Sequence, residues 1–562
     1  MFKNDQYKTL FIGTIILVIL TFTSYVSAKN KTFNPEITEF ILKNTSSLAY
    51  QIKEKKGLGY ISLKNQIILL DCKPKNIFSK NLLNEKNPYL FSKKFSKEIE
   101  KCKSKSKSKS KSKDIESLLK NKEAYLIISE ESLKSPMSYF GHSLILFLDE
   151  KDFYFSPVVS ISAPTDNLTA FEQITKGGFS HIEANINITP LHQIIDYYGH
   201  KESRKLKFIH LSDHIFNREK LIQYFKMESS KNLSYNFFYQ NCSTYLYEAL
   251  NYSCNCFKEK PMIITPSLLE TRIQALEQEN REFEINSLYY EFNIKFEKLN
   301  KNEKNTTKKI FSNNKKHLQK NYNAGVVAAL ASRLSFESYK TPNIGYKKIL
   351  DEYGKDSSLL RRIPYFEKNK KTTSDNLNYS SIKIYKEKDS LNLKLSAIDF
   401  NHLEQRPKHF MFSKLSAGTI ELIKKREGVH IESLSFLNIR TLIPIDFVTK
   451  EPSWRLRIGA ERDNENKLRA LTSFGVGASF SLSDFIFYTL PSVELKSSLN
   501  FPVYSGIYFK SKSLLIKYET KDLKENSLTF YKRENNNFGY EFRISKSKNS
   551  KPKTRIGLSY YF

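Results

Sequence analysis

A chain of 562 residues with a formal charge of +31 has room for two or three domains, and so large a basic excess first suggests nucleic acid. The excess is lysine, 73 residues against 17 arginines, whereas base readout and bidentate phosphate contacts favour arginine, and no folded nucleic-acid motif is present. Nucleic acid is therefore set aside as a partner, while a lysine-rich surface remains compatible with anionic lipid headgroups.

The chain opens with Lys3 and Lys8 ahead of an apolar run from Leu10 to Val26 that ends in the small residues of "VSA". This predicts a secretory signal peptide over 1–28, cleaved after Ala28. The run is also as long as a short spanning helix, so an uncleaved anchor is the alternative. Either expectation puts the rest of the chain outside the cytoplasm, and no later segment is apolar enough to cross a membrane as a helix.

Cysteines outside the cytoplasm tend to pair. The five are Cys72, Cys102, Cys242, Cys254 and Cys256, so at least one is left over. Pairing Cys72 with Cys102 closes an ordinary loop, whereas Cys254 with Cys256 closes a very tight ring. Cys242 is the candidate unpaired thiol; by spacing alone, any of the last three could be the odd one.

Residues 29–285 mix helical and strand patterns and carry all five cysteines and six of the ten histidines, as expected of one α+β domain. Within it, "KSKSKSKSKSK" at 103–113 has no apolar residue and predicts a solvated, disordered loop. Residues 286–380 read as a lysine-rich helical connector with mobile flanks, its best helix being "AGVVAALASRL" at 324–334. From 381 the period changes to two. Leu391, Leu393, Leu395 and Ala397 alternate with polar residues, as do Leu514, Ile516 and Tyr518, then Phe538, Tyr540, Phe542 and Ile544, and finally Ile556, Leu558, Tyr560 and Phe562. About a dozen such runs predict an antiparallel all-β domain. A sandwich shares the pattern, but export, aromatic-rich strands and an aromatic last residue favour an outer-membrane-type β-barrel.

Two stretches carry candidate chemistry. In "QNCSTYLYEALNY", Ser243 or Thr244 can cap a helix whose buried stripe is Leu246, Ala249 and Leu250. Cys242 then lies in the first turn, where unpaired N–H groups and the helix dipole lower a thiol pKa. In "SPMSYFGHSLILFLDEKDFYF", a loop shaped by Ser138 and Tyr139 leads to His142 at a strand start, followed by a turn at 149–152 and a second strand from Phe153. Gly141 beside His142 permits close backbone approach. A strand-edge histidine facing a helix-head cysteine is the arrangement of papain-like thiol catalysis, with imidazole as base and then acid. Asn241 could orient the imidazole, line an oxyanion site or cap the helix, and His181 is a weaker polar candidate. His210 and His214 in "HLSDH" would share a face only if helical; cationic neighbours oppose a metal, and none is expected.

These stretches also resemble a family. "SPMSYFGHSLILF" (135–147), "KGGFSHIEANI" (176–186), "YYGHKESRKLKFIHLS" (197–212) and "YNFFYQNCSTYLYEAL" (235–250) follow the order and spacing of the periplasmic domain of the Lnb-type lipoprotein N-acyltransferase family, a resemblance covering residues 35–280. "DCKPKN" at 71–76, with Cys102 downstream, resembles that domain's earlier cysteine pair, and "HIESLSFLNIRTLIPID" with "PSWRLRIGAERD" resembles the β-domain that follows in related proteins. The resemblance implies a permuted papain-like fold related to lecithin:retinol acyltransferase, with Cys242 as nucleophile and His142 as base. It further implies that a membrane lipid acylates the thiol and that the acyl group passes to an amine of a lipoprotein or other envelope acceptor, with no cofactor. The rival expectations are a cell-envelope cysteine hydrolase and a catalytically inert binding or assembly module anchored by the barrel.

Overall fold

The computed structural model describes residues 60–63 and 66–69, most of 115–339 and most of 380–562. The leader, Cys72, Cys102, the Lys/Ser tract, Tyr139 and Phe153 lie outside the described residues, and with them the expected Cys72–Cys102 pairing. The chain divides into two compact units, residues 1–371 and 372–562.

The first unit holds a short hairpin, β1 (Tyr60–Leu63) with β2 (Gln66–Leu69), and a seven-stranded antiparallel sheet. Its strands are β3 (Glu123–Ser129), β4 (His142–Leu148), β5 (Pro157–Ser162), β6 (Ile182–Pro190), β7 (Leu206–Leu211), β8 (Leu233–Tyr235) and β9 (Glu282–Ile285), in the spatial order β8-β6-β5-β4-β3-β7-β9. The helices are α1 (Ile115–Leu119), α2 (Leu191–Ile194), α3 (Arg218–Glu228), α4 (Cys242–Cys254) and α5 (Pro266–Leu276), then α6 (Leu288–Lys298), α7 (Lys301–Phe311) and α8 (Tyr322–Tyr339). Leu126, Ile128, Ile145 and Phe147 of the central strands form one core with Leu221, Phe225, Leu246, Leu250, Leu269 and Ile273 of α3, α4 and α5. The alternate residues Tyr125, Ile127, Leu144 and Leu146 are buried too. Both faces of the sheet are covered, which explains why β3 and β4 read as continuous apolar runs.

Of the expected connector over 286–380, residues 313–320 and 340–379 lie outside the described residues, and the remainder is mainly helical. The lysine-rich stretch after Leu299 forms α7, started by a capping box in which Asn300 and Glu303 satisfy each other's backbone N–H groups. Helices α6 and α7 both pack on α8, and Leu288, Phe292, Ile310 and Ala328 are buried. Their apolar residues have somewhere to go within the first unit.

The second unit is a barrel. Its strands are β10 (Ser381–Glu387), β11 (Ser390–Asn401), β12 (Phe412–Lys425), β13 (Gly428–Leu442), β14 (Ser453–Arg462), β15 (Leu468–Leu482), β16 (Phe485–Leu495), a two-residue β17 (Leu499–Asn500), β18 (Val503–Lys510), β19 (Leu514–Lys521), β20 (Glu525–Arg533), β21 (Phe538–Ser547) and β22 (Lys553–Tyr561). Sequence neighbours pair antiparallel, β10 pairs with the last strand β22, and β15 pairs with β16 as well as with β14. Setting β17 aside, twelve strands therefore close on themselves, which a two-sheet sandwich does not do. The apolar members of the alternating runs face outward: Leu391, Tyr518, Tyr540, Phe542, Ile556, Leu558 and Phe562 are all exposed. An apolar, aromatic exterior on a closed antiparallel barrel is the surface a bilayer requires. Among the described residues no helix is long and apolar enough to cross a membrane.

Candidate functional site

Helix α4 begins as a consequence of one side chain. Asn241, in extended conformation, accepts from Thr244 N at 3.0 Å, while Asn241 N donates to Thr244 Oγ1 at 3.4 Å. The cap is thus Asn241 rather than Ser243 or Thr244, with Thr244, the third residue of the helix, as its partner in the capping box. The remaining amide hydrogens of Asn241 go to the carbonyls of Phe237, at 3.0 Å, and Ile264, at 2.9 Å. Of the roles considered for Asn241, capping is the one its hydrogen bonds fulfil. Cys242 follows at the first helical position, buried and 3% exposed. It is free, whereas Cys254 and Cys256 form a disulfide with Cα atoms 5.1 Å apart. The tight ring considered at the sequence level does close.

His142 reaches the site through the strand in front of it. Gly141 has φ of +83°, and a Cβ there would lie 2.5 Å from Ser129 O; only glycine lets the chain turn into β4 this close to β3. Gly141 N also donates to Ser138 O at 3.1 Å. Helix α4 packs on β4 and β5, and Ser143 Oγ meets Ser243 Oγ at 2.9 Å. The residue after the histidine is thereby tied to the residue after the cysteine.

Burial alone would push the Cys242 thiol up. The His142 charge and its hydrogen-bonding position, together with the backbone N–H and hydroxyl of Ser143, overcome that and leave the thiol lowered to about 6. Sγ also contacts Ser243 Oγ at 3.9 Å. His142 Nε2 is buried and completes no hydrogen bond of standard geometry, so that nitrogen is uncommitted.

Three further residues complete the surroundings. Residues Ile195–Lys201 form a π-helical segment, an irregularity frequent at functional sites, which sets the Tyr198 ring against the His142 ring, stacked with centroids 5.5 Å apart. Arg204 lies over the Tyr198 ring at 5.1 Å from its centre, pairs with Glu202 and donates to Ser129 Oγ at 3.5 Å; Ser129 is the cross-strand partner of His142. Tyr235 stands by the thiol: burial raises its pKa well above the ordinary value, and the Cys242 sulfur raises it further, while the Cys242 N–H opposes. None of Ser143, Tyr198, Arg204 or Tyr235 was assigned a role from the sequence, although each lies in a stretch that carries the family resemblance.

The loop before Cys242 is held by the "KGGFS" segment. Phe237 N donates to Gly177 O at 2.8 Å, and Asn236 Nδ2 donates to Gly178 O at 3.2 Å and to Ser180 O at 2.7 Å. His181 is exposed immediately before β6. His210 is in strand β7, its ring 5.0 Å from that of Tyr125, and His214 is in a turn, so the two do not share a helical face.

A family model described as the Lnb N-terminal periplasmic domain matches residues 112–270, a span that contains the whole of this site. A second, described as a domain of unknown function (DUF7840), matches residues 402–502 within the barrel. No curated protein matches the chain. Among solved structures, the KdgM porin, alone and in complex with disordered oligogalacturonate, is 11% identical over 33% of this chain and 98% of its own, with a TM-score of 0.22. The NanC porin is 8% identical over 33% of this chain and 100% of its own, with the same TM-score of 0.22. At that level the likenesses carry no argument, and the barrel stands on its own strand order. A periplasmic domain followed by a closed barrel with an apolar exterior makes this a cell-envelope protein with its C-terminal unit in the outer membrane.

Proposed function

We propose that the first unit is a thiol-dependent acyltransferase acting on lipid or lipoprotein substrates through an acyl-cysteine intermediate. The observation that carries this reading is the free Cys242, buried at the head of α4 with its thiol lowered to about 6 beside His142. The papain-like pairing of a helix-head thiol and a strand-start imidazole supports it, as does the family match over 112–270.

In the first half-reaction the Cys242 sulfur attacks the carbonyl of a lipid ester. The C–S bond forms as the ester C–O bond breaks, and His142, holding the thiol proton, delivers it to the departing alkoxide. In the second, an acceptor amine attacks the thioester; His142 takes the amine proton, the C–S bond breaks, and the thiol is restored with an amide as product. Charge on the carbonyl oxygen in both steps needs donors. The N–H of Cys242 and the Tyr235 hydroxyl, which stand together beside the sulfur, are suited to supply them. An uncommitted His142 Nε2 suits a pair that aligns fully only when substrate is present. Anchorage in the outer membrane keeps such a site close to an acyl donor that is itself membrane lipid.

The test is the mass of a candidate envelope lipoprotein from cells carrying the native chain or Cys242→Ala. Loss of one acyl chain in the variant is expected. An unchanged lipoprotein, with free fatty acid released by the native protein alone, would instead assign a hydrolase.

A further inference from the structure

We infer that the barrel is a sealed anchor: its lumen is barred by its own side chains, so the second unit holds the chain in the membrane without giving water an open path. Strand number does not decide this. Barrels of about eight strands are filled by side chains and those of 16–18 carry aqueous channels, and twelve falls between. What decides it is which side chains meet across the interior.

Arg440 on β13 bonds Glu519 on β19 at 2.7 Å. In the closed order these strands are five steps apart one way and seven the other, so the bond runs across the lumen rather than along the wall. The same holds for Lys510 on β18, whose Nζ lies 4.4 Å from the centre of the Phe412 ring on β12. Both contacts adjoin one buried cluster. Phe412, Leu442, Ile486, Tyr488, Leu490, Tyr508, Leu515, Tyr531 and Tyr561 form one cluster, none more than 6% exposed. On strands whose outward residues are the exposed ones, burial means facing inward, and inward residues of an open pore would be wet.

The filling is layered. The Tyr488 ring lies against the wall over Gly506, where a Cβ would come within 2.5 Å of it. Arg440 covers that ring and the Tyr508 ring, at 5.5 and 5.4 Å from their centres. The Tyr488 and Tyr508 hydroxyls both reach Glu519 Oε1, at 3.0 and 2.6 Å. Both charges of the crossing pair are thus held by aromatic partners from the wall, which makes the bar a fixed part of the fold.

This inference rests on the barrel alone and stands or falls apart from the acyltransfer reading. The full-length protein would be placed in liposomes and in planar bilayers, with the native chain compared with a Phe412→Ala/Arg440→Ala/Glu519→Ala variant that removes both crossings without leaving one charge of the Arg440–Glu519 pair alone. Heat-modifiable gel mobility would confirm that each barrel is formed. Native liposomes are expected to stay impermeable to a small sugar such as arabinose and native bilayers to show no conductance steps, while the variant shows both. Sugar entry or steady conductance with the native protein overturns the inference, as does a folded variant that remains closed.

Discussion

Ser143 and Ser243 lie a hundred positions apart in the chain and share a hydrogen bond of 2.9 Å between their hydroxyls. Each is the residue immediately after a member of the proposed catalytic pair, and both are fully buried. The bond locks the register of α4 against β4, and with it the meeting of Cys242 and His142. Replacing either serine by alanine leaves the other hydroxyl with only the Cys242 sulfur as partner and is expected to cost about 0.5–1.5 kcal/mol, whereas the double replacement costs less than the sum of the two. A double-mutant cycle on thermal unfolding reads the coupling; strict additivity would show that the bond contributes nothing.

The lowered thiol fixes a pH dependence. An acid whose pKa is depressed stays ionised further down the pH scale, so Cys242 is in its reactive thiolate form from about 6 upward and is protonated below, against about 8.5 for an unperturbed cysteine. Alkylation by iodoacetamide should therefore reach half its maximal rate near the lower value. In His142→Ala, burial becomes the dominant influence and the midpoint should move up past neutrality. A native midpoint at the ordinary thiol value would remove the basis for a nucleophilic Cys242.

Tyr198 stacks on the imidazole, and the Arg204 guanidinium lies over the Tyr198 ring. Tyr198→Phe keeps the stack and should leave the alkylation midpoint unchanged. Tyr198→Leu removes the flat surface, frees His142 to rotate, and should raise the midpoint by about one pH unit, equivalent to ~1.4 kcal/mol. Equal midpoints in the two variants would assign Tyr198 to packing alone.

Gly141 tolerates no side chain. Its φ of +83° and the 2.5 Å approach of Ser129 O to an added Cβ predict that Gly141→Ala loses about 1–3 kcal/mol and displaces His142. A fall in apparent Tm together with slowed alkylation at pH 7 checks both effects. A normal Tm with normal reactivity would mean that the turn into β4 relaxes freely.

Much of the barrel was legible because its physics is local. Residues two apart on a strand share a face, so Phe538, Tyr540, Phe542 and Ile544 announce an apolar surface whatever lies around them, and the structure exposes all four. The inside was not legible. Arg440 and Glu519 are polar residues at ordinary inward positions, and nothing in their spacing says that they meet across the lumen. The lysine-rich stretch of α7 shows a related limit: composition suggested a flank, while residues 301–311 form a helix begun by the Asn300–Glu303 capping box and packed on α8.

At the site, the sequence by itself determined the chemistry on offer: an odd cysteine at a helix head, a histidine after a glycine at a strand start, and an asparagine able to cap. These follow from residue type and short-range geometry, which survive in any fold that keeps the two elements. Only the tertiary structure decided that the Asn241 side chain is occupied by the cap and by the Phe237 and Ile264 carbonyls, that Tyr198 stacks on His142 with Arg204 over the Tyr198 ring, and that Ser143 clasps Ser243. Contacts between residues far apart in the chain arise from how the sheet and helices close over their common core, and that closure is a property of the whole unit rather than of any stretch within it.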